Sequence, residues 1–356
     1  MTSDSATRSF SRPAHLDPSE LGTKEYWDNY YQNDLDNQES SDNEGSQDGE
    51  DNDQDDAPKN EDDNQLDPSD LESWFDDVGA PAKTLAFLTS TSFPLSPNYD
   101  ERAAQTPADT HESDDHLTTR HPRCQPTVLD LGTGNGSALF SLRLHGGYQG
   151  RMVGVDYSKQ SIELAARLWR QLSANEPSSS TSAVRQSHSG DEGVVHAASD
   201  SGNLTFELLD LIQDDPESQP WWPRDQQGSD QGTTTGFDLV LDKGTFDAIS
   251  LSSAVTTDPL SNTERRVCEL YPAKVANMVR PGGFLLVTSC NWTEDEVVRW
   301  FTDDQLRGGP TLEVYHRIRY PVFEFGGQKG QGVASICFRR KGISGNATKA
   351  SSIIDS

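Results

Sequence analysis

The sequence predicts an α/β fold built on a mostly parallel, Rossmann-like sheet of seven strands that closes in an antiparallel hairpin. Three observations predict it. Short apolar runs alternate with helical patterns from Thr127 onward. The first run breaks into a glycine loop, Asp130-Leu-Gly-Thr-Gly-Asn-Gly136. The last two segments, Leu312–Arg319 and Val333–Arg339, both alternate as strands do, with no helical pattern between them.

The elements follow in order. Thr127-Val-Leu-Asp-Leu131, β-branched residues and leucines around Asp130, reads as a buried strand. Ser137–Leu144 then predicts a helix, and Arg151–Asp156 a second strand. Ser158 is an N-cap for the helix Lys159–Leu172, whose Ile162, Ala165, Ala166 and Trp169 share one face. Leu204–Leu208 and Phe237–Leu241 are the third and fourth strands. Thr263–Val279 predicts a helix ended by Pro281-Gly282-Gly283, and Phe284–Thr288 a fifth strand. Thr293 with Glu296 forms a capping box that opens the helix Thr293–Phe301. Such alternation implies parallel strands joined by right-handed crossovers, with helices on both sheet faces. The antiparallel finish makes the sheet mixed and sets it apart from ordinary dinucleotide-binding domains.

Composition divides the chain around one compact domain. Residues 1–33 form an N-terminal arm with a short aromatic helix, and 34–70 an acidic insert expected to be disordered. The domain proper spans 71–341, with disordered insertions expected near 97–123, 173–202 and 213–236, and 342–356 a loose tail. Between Asp34 and Asp77 nineteen acidic residues face one lysine, so most of the net charge of −29 lies there. Acidity of this kind argues against a nucleic-acid partner, because phosphate contacts depend on Lys and Arg. It suits a basic protein, although an acidic run also serves solubility alone. Cys124, Cys268, Cys290 and Cys337 are scattered without metal or disulfide spacing, as reduced thiols are. No apolar run approaches the ~20 residues needed to span a bilayer. The expectation is a monomer without metal or membrane contact, located in the cytoplasm, with the nucleus as a second compartment.

The chemistry gathers at the strand ends. A GxG turn alone is shared by many nucleotide-binding proteins. Asp130, directly before it, would repel a pyrophosphate but suits a ligand with an ammonium and no phosphate, such as S-adenosylmethionine. Gly132, Gly134, Asn135 and Gly136 complete the loop. Asp156, ending the second strand, is placed to accept from ribose hydroxyls, and Tyr157 beside it to lie against an adenine. Asp210, with Leu211, follows the third strand and could accept from the adenine amine; Asp242 ends the fourth. Each aspartate taken singly is equally a turn former or helix cap. Trp221 and Trp222, in the fourth polar stretch, read either as a partner hot spot or as local packing.

The chain resembles the eukaryotic protein-lysine methyltransferases that modify translation elongation factor 1-alpha. Three stretches carry the resemblance: Gly22-Thr-Lys-Glu-Tyr-Trp-Asp-Asn-Tyr-Tyr31, Val128–Gly136 and Asp242-Lys-Gly-Thr-Phe-Asp-Ala-Ile249. Tyr271–Val275, Pro281–Gly283 and Phe323–Gly327 support it. The resemblance implies a seven-stranded class I methyltransferase fold and S-adenosylmethionine as cofactor. It further implies mono- and dimethylation of a lysine of elongation factor 1-alpha. Trp27 becomes a lid residue over the cofactor, and Asp242, with Phe246 lining the channel, the group that positions the lysine amine. The Asn/Asp-Pro-Pro-Tyr signature of nucleobase and glutamine methyltransferases is missing after the fourth strand. A methyltransferase of another protein, a small molecule or RNA remains a rival on the same fold, as does a non-catalytic interaction protein.

Overall fold

A computed structural model describes residues 13–44, 67–68, 71–104, 125–174, 203–224, 236–258, 261–303, 310–325 and 328–342. The chain enters through a single 3₁₀ turn at Glu20–Gly22 and the helix α1 (Lys24–Glu44). α2 (Ala80–Leu88) and the short α3 (Glu101–Ala104) precede the sheet. Then come β1 (Val128–Leu131), α4 (Ser137–Phe140), β2 (Met152–Asp156), α5 (Lys159–Ala174), β3 (Leu204–Leu208), β4 (Phe237–Lys243) and α6 (Thr245–Ser250). A small hairpin of β5 (Val255–Thr257) and β6 (Glu264–Arg266) leads into α7 (Val267–Met278), β7 (Val279–Ser289) and α8 (Glu294–Thr302). The last strands are β8 (Leu312–Ile318), a second small hairpin of β9 (Val322–Phe325) and β10 (Gln328–Gln331), and β11 (Ala334–Arg340).

Seven strands form one sheet in the order β3-β2-β1-β4-β7-β11-β8. The first five run parallel, and β11 is antiparallel to both β7 and β8. This is the mixed sheet with an antiparallel finish that the sequence predicts. Order reverses between β1 and β4, so the crevice at their carboxyl ends is the expected ligand position.

Side chains alternate across the strands, and each face of the sheet acquires its own core. Leu129, Leu131, Val153, Val155, Val240, Leu285 and Val287 point to one face and pack under residues of α6, α7 and α8. Val128, Met152, Leu239, Leu241, Phe284 and Leu286 point to the other and meet residues of α1, α2, α4 and α5.

Several boundaries depart from expectation, each for a physical reason. α1 does not stop at residue 33 but continues to Glu44, into the stretch expected to be a disordered insert. Trp27, Tyr31 and Leu35, four residues apart, form a stripe on one helix face; Tyr31 and Leu35 are buried and Trp27 packs beside them in the same core. That stripe was hidden by the acidic residues around it. Residues 45–66 and 69–70 lie outside the described residues. The insertion expected near 213–236 is folded at least to Arg224. Trp221 and Trp222 are 4% and 3% exposed and pack on Phe237, the first residue of β4. They are core residues, which removes the hot-spot reading. Pro97–Ala104 is likewise described, while most of the insertions expected near 97–123 and 173–202, and residues 343–356 of the tail, lie outside the described residues.

Thr263 does not start a helix. Arg266 holds an extended backbone while its guanidinium donates to the carbonyls of Leu16, Ser250 and Ser252. The helix begins only beyond it. β7 likewise starts at Val279, with Arg280–Gly283 bulged out of register against β4 before pairing resumes at Leu239 and Phe284.

Candidate functional site

Two glycine-loop positions depend on backbone freedom that other residues lack. Gly132 and Gly134 have φ of 58° and 57°, in the left-handed region. A Cβ on Gly132 would fall 2.2 Å from Thr245 Oγ1, and one on Gly134 2.7 Å from the Tyr31 hydroxyl. The loop is tied from behind. Gly134 donates its N–H to Asp156 at 3.2 Å and accepts from Ser161 at 2.8 Å. Thr133 N–H reaches the Val155 carbonyl at 3.0 Å.

In front of the loop lies a cavity of about 420 Å³ at the carboxyl ends of the strands. Its floor is Gly132–Asn135, Asp156, Tyr157, Leu209–Gln213 and the turn from Lys243 to Thr245. Its roof is the entering chain: Leu21, Gly22, Lys24, Trp27, Tyr30, Tyr31 and Asp34, joined by Glu72–Phe75. Trp27 is held as part of that roof by an indole hydrogen bond to the Leu21 carbonyl at 2.8 Å and by an edge contact with Trp74. The arm is in turn pinned down by the Arg266 bond to Leu16 and by Ser19 N–H, which reaches the Leu251 carbonyl at 3.1 Å.

Eight of the residues singled out in the sequence therefore meet at one cavity: Trp27, Gly132, Gly134, Asn135, Asp156, Tyr157, Asp210 and Leu211. Asp156 is 5% exposed; burial raises its pKa, against backbone N–H bonds from Ser158 and Gly134 that favour the charge. Asp210 lies two residues past β3 and accepts from the N–H groups of Ile212 and Gln213.

Four do not line it. Asp130 shares the opposite sheet face with Val128, accepts from Thr133 Oγ1 at 2.7 Å, and borders a second cavity of about 520 Å³ beside α2. Its pKa is raised to about 6, chiefly by burial. Gly136 is a packing position: a Cβ there would meet the rings of Phe140 and Phe206. Asp242 is 1% exposed and also borders the second cavity. Its carboxylate caps α6, accepting the N–H groups of Thr245 and Phe246 at 3.1 Å, and takes the Tyr271 hydroxyl at 2.9 Å. Phe246 is fully buried between the rings of Tyr271 and Trp292. Both residues assigned to catalysis thus hold α6 on the sheet.

The cavity adds residues that sequence reasoning passed over. Asp247, one turn beyond Asp242, borders it and is fixed by Ser289 Oγ at 2.5 Å and by the Cys290 N–H at 2.8 Å. Tyr31, Lys243 and Asn291 border it as well. Asp247 was legible as a carboxylate in the quoted Asp242–Ile249 segment. Which of its two acids faces the cavity depends on how α6 is rotated, which packing decides.

Residues 125–177, the segment from β1 through α5, match the family model described as a methyltransferase domain. The chain carries a methyltransferase domain on a class I methyltransferase sheet. Among curated proteins, it is 28% identical to protein-lysine N-methyltransferase EFM4 of Saccharomyces cerevisiae over 325 residues, covering 91% of this chain and 96% of the yeast protein. It is 29% identical to efm4 of Schizosaccharomyces pombe, covering 91% and 95%. The human EEF1A lysine methyltransferase 2 is 28% identical over 214 residues, 60% of this chain and 65% of that protein. Solved structures match more distantly, such as the N-methyltransferase NodS from Bradyrhizobium japonicum with S-adenosyl-l-homocysteine, at 13% identity and a TM-score of 0.32 over 60% of this chain and 78% of that one.

The cofactor of this methyltransferase is S-adenosylmethionine, and the cavity's donor set fits it. Five carboxylates, of Asp34, Glu72, Asp156, Asp210 and Asp247, border the cavity against two lysines and no arginine. That balance disfavours a pyrophosphate and favours a ligand whose charges are mainly positive. The close backbone approach at Gly132 and Gly134 fits the same ligand.

Proposed function

We propose that this methyltransferase modifies a lysine side chain of a protein, with translation elongation factor 1-alpha as substrate and mono- and dimethyllysine as products. The observation that carries the reading is the acidic, aromatic-roofed cavity, considered with relatives over most of the chain that are named protein-lysine methyltransferases. In the assignment of roles, Asp156 accepts from the ribose hydroxyls, and Tyr157, Asp210 and Leu211 border the adenine. Trp27 and Tyr31 close over the glycine loop.

When bound, the cofactor supplies an electrophilic methyl group on sulfur. The protein's part is to admit, align and dry the amine. A lysine ammonium, with a reference pKa near 10.4, is drawn toward the carboxylates that rim the cavity. Beneath the rings of Trp27, Tyr30 and Trp74 it loses water, which lowers its pKa, so that it gives up a proton to bulk solvent and the freed lone pair can attack. Asp247, which borders the cavity at the start of α6, is assigned to orient it. Each carboxylate oxygen keeps a second lone pair after accepting from Ser289 and Cys290. Alignment of this kind is worth a large share of any methyl-transfer barrier.

The test uses elongation factor 1-alpha purified from cells lacking this gene, incubated with the enzyme and S-adenosylmethionine and read by peptide mass spectrometry. One lysine gaining 14 and 28 Da is the expected result. Activity on other proteins in the same lysate, with none on elongation factor 1-alpha, would overturn the substrate and leave the reaction class standing.

A further inference from the structure

Lys243 is the last residue of β4 and borders both cavities, which otherwise share only Ser73. Its ammonium has no hydrogen bond or ion pair with any described residue. Asp130, Asp76 and Asp242 act on it through space, but Asp130 is engaged by Thr133 and Asp242 by Tyr271 and the start of α6. Enclosure by protein lowers its pKa, against the pull of those three acids. An amine held this way is stabilised most by an anion that arrives with a ligand and leaves with it.

The cofactor supplies one such anion. Its charged groups are a sulfonium, an ammonium and a single carboxylate, and every other charge at the cavity wall except Lys24 is itself a carboxylate. Lys24 is already paired with Asp28 at 2.7 Å and sits 5.5 Å over the Tyr157 ring, at the adenosine side. Lys243 stands across the glycine loop, at the β4 edge.

We propose that Lys243 binds the carboxylate of the cofactor's amino-acid end and thereby sets which way the cofactor lies in the cavity. With the carboxylate drawn to β4 and the ribose to Asp156 on β2, the sulfur between them hangs over the glycine loop of β1. Lys243 is then a specificity residue for the whole cofactor as opposed to its nucleoside half. The inference rests on the cofactor and not on the identity of the methyl acceptor.

Calorimetry on the full chain compares S-adenosylmethionine with its decarboxylated analogue, which lacks only the carboxylate. The wild type should prefer the former by about tenfold or more, the range of a hydrogen bond to a charged group. Lys243→Met should bind both alike, near the wild-type affinity for the analogue. Lys243→Arg should keep the preference, and the 5′-methylthioadenosine affinity of all three proteins should agree, which separates a lost contact from a damaged fold. Equal wild-type affinities for the two ligands would overturn the proposal, and so would a Lys243→Met protein that still discriminates. Neither result depends on whether elongation factor 1-alpha is methylated.

Discussion

The Tyr271 hydroxyl donates to Asp242 Oδ2 at 2.9 Å, and through that bond α7 holds the end of β4. With the start of α6 bonded to the other oxygen, Asp242 is a structural carboxylate in a buried polar cluster. Burial raises its pKa to about 7, while the pKa of Asp130 on the other sheet face is raised to about 6. Both groups hold a proton more tightly folded than unfolded, where the ordinary value is 3.8. The stability they contribute is complete below that value and is lost as the pH rises through about 6 and about 7. Their share of the melting temperature should therefore fall from about pH 4 to about pH 7 and level off above that. Asp242→Asn, which has no proton to lose, should show a shallower fall and an unchanged affinity for S-adenosylhomocysteine. A steep loss of affinity would return Asp242 to the cofactor site.

Gly134 and Tyr31 test the roof. Gly134→Ala places a methyl against the Tyr31 hydroxyl and forces a left-handed alanine. The backbone strain is about 1 kcal/mol, and the contact pushes the roof away from the loop. Cofactor affinity should fall by more than that strain accounts for. Removing the hydroxyl with Tyr31→Phe in the same protein should recover the excess but not the strain. Calorimetry of the two single variants and the double variant gives the coupling directly.

Asp247→Asn separates orientation of the amine from binding of the cofactor. The amide keeps an oxygen for Ser289 or the Cys290 N–H but carries no charge toward the cavity. Turnover should drop about tenfold or more, with the dissociation constant of S-adenosylhomocysteine little changed. A proportional loss of both would mean that the residue serves only to hold α6 against β7.

Trp222 tests the reassignment of the polar stretch to the core. Its indole N–H is buried without a partner among the described residues, so only its volume contributes. Trp222→Ala should cost about 3–5 kcal/mol in urea unfolding, and Trp222→Phe far less, since it removes an unsatisfied donor while keeping a ring against Phe237. A Trp222→Ala protein of wild-type stability would restore the reading of this tryptophan as a binding residue.

Local pattern determined much of this protein. Apolar runs carrying Asp130, Asp156 and Asp242 at or near their ends, with glycines after the first, were enough to identify five parallel strands and the edge that binds, while their order in the sheet came from the fold. A strand's burial and a loop's need for glycine are written in neighbouring residues. The capping box at Thr293 and Glu296 is local in the same way and is present as read. The rotation of each short helix and the partner of each strand-end carboxylate were decided elsewhere. Asp242 and Asp247 are five residues apart and chemically identical. Which faces the cavity depends on Tyr271, 29 residues away, and on Ser289, 42 residues away. The roof behaves likewise, since Trp27, Tyr31 and Leu35 lie in an acidic stretch whose composition masks a buried stripe. Only the tertiary structure brings them over the loop, because the apolar surface that orders them belongs to residues such as Leu164 and Leu168 of α5.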